Sequence, residues 1–143
     1  LHIGRRVFQL GAFGQVGLIE KHMSQVGEAV FVHLLIQLLH QWVLGVEFKA
    51  GLALGQRLAG LLVLSSYFAT ASLTTPTEAN RTIPIFVAHG TSDPMLPESL
   101  GRESVDHLKK LGYAPDYRTY PMEHEVCLEE IQAIGEWLRS VLI

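Results

Sequence analysis

The sequence predicts an α/β domain built on a mostly parallel sheet. Three observations predict it. Two apolar runs, Leu58 to Ser65 and Ile83 to Gly90, lack polar alternation, as strands covered on both faces do. Apolar residues at helical spacing follow the second run and recur near the C-terminus. The order strand, loop, strand, helix, strand, helix belongs to parallel sheets with covering helices.

The elements follow in order. "LAGLLVLS" (58–65) is a strand that ends in hydroxyls, and "YFATASLTTPTEANRT" (67–82) is a polar loop. "IPIFVAHG" (83–90) is the second strand, bounded by Pro84 and Gly90. Pro97 suits the first turn of a helix whose buried face carries Leu100, Ser104, Leu108 and Leu111, and Gly112 is its natural stop. "PDYRTYP" (115–121) is a short alternating strand. Leu128, Ile131, Ile134, Leu138 and Val141 mark a closing amphipathic helix.

Residues 1–50 read differently. They contain no Asp, Asn, Pro, Thr, Tyr or Cys; every proline lies at Pro76 or later and every aspartate at Asp93 or later. Turn-forming residues close loops between packed elements, so an irregular, helical segment is expected at 1–50, ahead of a regular α/β part at 51–143. The uncharged run Val30 to Val46 is short for a bilayer span and carries His33, Gln37, His40 and Gln41 on one helical face. It reads as an amphipathic helix, and membrane association is disfavoured.

Composition narrows the function classes. The 143 residues are 48% hydrophobic and 17% charged, a globular balance, with a formal net charge of −3. No basic stripe exists for nucleic acid. A single cysteine, Cys127, excludes an internal disulfide and a cysteine-based metal site. It fits a reducing compartment, and the expected location is the cytoplasm. His33 and His40, aligned with glutamines, read as a polar helix face and not as a metal site.

Functional groups in open α/β sheets gather just beyond the carboxyl ends of the strands. Asp93 follows the second strand in "HGTSDPMLP", and His124 follows the third in "YPMEHEV". Adjacent strands lie about 5 Å apart, so side chains on the two loops can meet. An acid that accepts the imidazole Nδ1–H fixes the tautomer and leaves Nε2 as the general base. The bland readings are a turn-forming aspartate and a solvated histidine between Glu123 and Glu125; the matched strand ends favour function. Glu123 and Glu125 read as solvated, His89 as a backbone or supporting residue, and Cys127 as a small residue at a helix start.

Three segments carry a family resemblance: "GLALGQRLAGLLVLSSY" (51–67), "VAHGTSDPMLP" (87–97) and "YPMEHEVCLEEIQAIGEWL" (120–138). Together they resemble the phospholipase/carboxylesterase family of α/β-hydrolases, which includes the acyl-protein thioesterases. The resemblance covers about two thirds of the chain. It implies the C-terminal half of an α/β-hydrolase sheet, with Asp93 as triad acid and His124 as triad base. It further implies hydrolysis of small carboxylic esters or thioesters without metal or organic cofactor.

The chain departs from the family pattern at the nucleophile. The family carries a G-x-S-x-G elbow, usually with Gln after the Ser, and this chain has none. Between Val26 and Leu64 there is no Ser, Thr or Cys. The nearest string, "HMSQVG", offers Ser24 followed by Gln25, with His22 in place of the first glycine. The family's early oxyanion loop also has no counterpart here. The alternative expectation is therefore an inactive, truncated or mis-framed hydrolase remnant that binds a partner or self-associates through uncovered apolar surface.

Overall fold

The computed structural model describes residues 8–11, 51–55 and 57–142. Four strands form one sheet in the order β1 (Phe8–Gly11), β2 (Gly60–Leu64), β3 (Ile85–Gly90), β4 (Asp116–Tyr120). Every neighbouring pair is parallel. Parallel neighbours need a long crossover, and helix α1 (Glu98–Lys110) supplies it between β3 and β4. Helix α2 (Leu128–Leu142) closes the described fold.

Every residue of β2 and β3 is buried. Alternate side chains go to opposite faces of a strand. Leu61, Val63, Ile85 and Val87 therefore meet Val105, Leu108 and Tyr113 on one side. Leu62, Leu64, Phe86 and Ala88 meet Ala133, Ile134, Trp137 and Leu138 on the other. This is why the two runs show no polar alternation. Each fully buried Leu, Val, Ile or Phe contributes about 1.5–3 kcal/mol of transfer free energy.

The helix boundaries follow local chemistry. α1 starts directly after Pro97, and Gly112, two residues past its end, takes the left-handed conformation at φ +92° that glycine tolerates best. The polar loop after β2 is less exposed than its composition implies. Asn80 is completely buried. Its Oδ1 accepts the Leu58 N–H at 2.8 Å, its Nδ2 donates to the Leu54 carbonyl at 2.8 Å, and its own carbonyl accepts the Tyr113 hydroxyl at 2.8 Å. One residue, through its side chain and its carbonyl, thus ties the approach to β2 to the segment beyond α1.

The sequence reading contains no strand ahead of Leu58. The structure adds β1, paired with β2 in the register Phe8 to Gly60.

Candidate active site

β3 and β4 deliver the two candidate residues. Gly90 and Tyr120, the last residues of these strands, are register partners. The loops that leave them start side by side. The Thr91 N–H donates to the Tyr120 carbonyl at 2.9 Å, and the Ser92 N–H donates to the Met122 carbonyl at 3.1 Å. Gly90 permits this approach. A Cβ there would lie 2.3 Å from the Glu123 carbonyl oxygen and 2.4 Å from that of Met122.

Asp93 heads the turn that enters α1. Its Oδ1 accepts the Met95 N–H at 2.8 Å and the Leu96 N–H at 2.9 Å. Its Oδ2 lies 2.7 Å from Nδ1 of His124. The carboxylate has no exposed surface, and the imidazole is 13% exposed. Burial pushes the Asp93 carboxyl up, but the Leu96 N–H, the His124 imidazole and the Met95 N–H together outweigh it and hold the group below its ordinary range. An ionised carboxylate only accepts hydrogen bonds. Nδ1 of His124 is therefore the donor, which makes Nε2 the basic nitrogen.

The surroundings sort the other candidates. Glu123 and Glu125 are exposed. Cys127 is partly buried, and burial pushes its thiol up, which disfavours the thiolate. His89 is completely buried behind the pair. Ser24, His33, His40 and the run Val30 to Val46 lie outside the described residues. Among the described residues no three metal-ligating side chains converge, and no helix is long and apolar enough to cross a membrane. A groove of about 510 Å³ between β4 and α2 is lined by Arg118, Tyr120, Glu129, Gln132 and Glu136. It contains neither Asp93 nor His124 and is separate from their chemistry.

A family model described as Phospholipase/Carboxylesterase matches residues 45–142. The chain belongs to the phospholipase/carboxylesterase family. Acyl-protein thioesterase 1 of Neurospora crassa is 43% identical over 98 residues, covering 65% of this chain and 40% of the relative. Acyl-protein thioesterase 1 of Gibberella zeae is 39% identical over 102 residues, covering 68% and 43%. This phospholipase/carboxylesterase chain thus spans about two fifths of the length of the curated relatives it matches. Among solved structures, Arabidopsis thaliana SOBER1 superposes with a TM-score of 0.63 at 23% identity, over 89% of this chain and 60% of that one. Zea mays acyl-protein thioesterase 2 gives 0.56 at 24% identity, over 61% and 42%. The fold is part of an α/β-hydrolase sheet with its helices.

The two backbone donors make Asp93 a turn former as well as the partner of His124. Their signal is faint but present: a proline at 94 directly after the aspartate, then two residues with amides before Pro97. Such spacing is that of an aspartate side chain capping its own turn.

Proposed function

We propose that this chain carries the acid and base of a serine hydrolase acting on carboxylic esters or thioesters. The observation that carries the reading is the 2.7 Å contact between Asp93 Oδ2 and His124 Nδ1 at the carboxyl ends of adjacent strands. In this reading Nε2 of His124 takes the proton of a serine hydroxyl as that oxygen attacks the acyl carbonyl carbon. The imidazolium, stabilised by Asp93, then gives the proton to the departing alcohol or thiol. Water repeats the sequence on the acyl-serine and releases the acid. The names of the curated relatives support a thioester of an acylated protein as the substrate. Ser24 is the nucleophile candidate this chain offers.

A second reading is an inactive remnant that associates with itself. The absence of Ser, Thr and Cys from Val26 to Leu64 favours it. So does the described sheet, whose outer strand β4 pairs only with β3.

Labelling with a fluorophosphonate serine-hydrolase probe, followed by mass-spectrometric mapping, separates the two. An adduct on Ser24 that disappears in His124→Ala supports the hydrolase. A folded chain with no adduct, sedimenting as a concentration-dependent oligomer, supports the remnant.

A further inference from the structure

β3 reads Ile85, Phe86, Val87, Ala88 and then His89. The imidazole ends an otherwise apolar buried strand and has no exposed surface. Its Nε2 lies 2.8 Å from the Leu96 carbonyl. A carbonyl only accepts, so Nε2 carries the proton and Nδ1 bears a lone pair. Nδ1 is buried and has no hydrogen-bond partner. A buried polar atom left unmatched is unfavourable.

A second unfavourable choice faces it. Gly101 sits inside α1, where glycine weakens a helix relative to alanine. A Cβ at 101 would lie 2.6 Å from Nδ1 and 3.2 Å from Cγ of His89. The glycine makes room for the ring. Both choices serve one hydrogen bond, from His89 to Leu96.

Leu96 explains what that bond does. Its N–H donates to Oδ1 of Asp93, and its carbonyl accepts from His89. The residue is clamped at both ends of its backbone. His89 Nε2 is 3.7 Å from Oδ2 of Asp93, too long for a hydrogen bond, so it acts on the acid through Leu96.

We propose that His89 is the positioning residue of the Asp93–His124 pair, a buried latch that holds the Asp93 turn through the Leu96 carbonyl and for which Gly101 clears the space. The proposal rests on reading Asp93 and His124 as acid and base.

The readout is the downfield Nδ1 proton resonance of His124, assigned by its loss in His124→Gln and observed in the whole chain. His89→Met removes the donor and keeps an apolar side chain of similar length. His89→Gln keeps an N–H near the position of Nε2. The expected result is loss of the resonance in His89→Met and its retention in His89→Gln, with the amide spectrum preserved in both. A folded His89→Met that keeps the resonance unchanged overturns the latch. Equal loss in both variants also overturns it, because it points to packing alone. If His89→Met does not fold, Gly101→Ala decides, since it displaces the ring while keeping the histidine itself. A shifted or lost resonance there supports the latch, and an unchanged one overturns it. The resonance does not depend on turnover. Failure of probe labelling therefore removes the hydrolase reading alone, and failure of the resonance test removes the latch alone.

Discussion

Asp93 and His124 stand 31 positions apart in the chain, yet Oδ2 of one lies 2.7 Å from Nδ1 of the other. The distance is set by backbone geometry. Two parallel strands end in register, and their outgoing loops are stitched by the Thr91 and Ser92 amides.

Substituting Asp93 separates its turn bonds from its contact with His124. Asp93→Ala leaves the part-buried amide of Met95 and the buried amide of Leu96 without an acceptor and is expected to cost roughly 2–3 kcal/mol of stability. Asp93→Asn retains one acceptor oxygen and should cost less. It presents an amide to Nδ1, however, and favours the wrong imidazole tautomer. Any His124-dependent probe labelling should fall by roughly 10³–10⁴-fold in Asp93→Asn. Urea unfolding and labelling rates on the same samples check both halves.

Gly90 and Gly135 make a contrasting pair. Gly90→Ala drives a methyl group into the Met122 and Glu123 carbonyls, which are backbone and cannot step aside. A loss of about 2 kcal/mol or more is expected, within the range for overpacking. At Gly135, in α2, the nearest atom to an added Cβ is an Arg139 side-chain nitrogen at 3.8 Å. Gly135→Ala should stabilise the chain by about 0.5–1 kcal/mol. Thermal unfolding of the two variants should shift in opposite directions.

Glu130 gives a pH signature. It is completely buried at the start of α2, and neither carboxylate oxygen has a hydrogen-bond partner of good geometry. Burial pushes its carboxyl up to about 7, with the Cys127 amide drawing it back in part. The folded pKa lies above the unfolded one, so the folded state holds a proton that the unfolded state has lost. Stability is therefore full below the ordinary value of 4.5, falls as pH rises toward 7, and levels off above. Glu130→Gln should remove that slope and stabilise the chain at pH 8 by up to about 3 kcal/mol. Asp93 acts in a separate window. Its lowered carboxyl adds stability above its ordinary value of 3.8 and loses it as pH falls further. Chemical denaturation at pH 4.5, 6 and 8 resolves the Glu130 slope.

Asn80 is the polar residue on which the loop depends. Asn80→Leu preserves bulk but strands the Leu58 amide and takes one of two donors from the Leu54 carbonyl, which keeps the Thr77 hydroxyl. A cost of about 1–3 kcal/mol is expected. The midpoint of urea unfolding should fall without a change in the m-value.

Some of this architecture is legible in the amino acids. β2, β3, α1, β4 and α2 lie within two residues of their expected starts and ends, because apolar runs and Gly or Pro boundaries are local signals. That Asp93 and His124 meet is legible too, since each follows a strand directly. β1 is not. It is four residues containing Gln9, and it is recognisable only through a partner strand fifty residues away. The burial of Asn80 and Glu130 is equally silent, as both sit in polar strings whose fate is decided by tertiary packing. The donors to Asp93 are backbone amides, signalled only by Pro94 and by the two residues ahead of Pro97.

The register of the sheet also sets how much chain each strand pairing must close. β2 and β3 pair through Leu61 and Ile85, and β3 and β4 through Phe86 and Asp116, whereas β1 reaches β2 through Phe8 and Gly60. Closing the longest loop carries the largest entropic penalty, although that penalty grows only logarithmically. Of the three pairings, that of β1 with β2 closes the longest stretch of chain. A ribosome-bound chain cannot bring His124 to Asp93 until β4 has emerged to pair with β3.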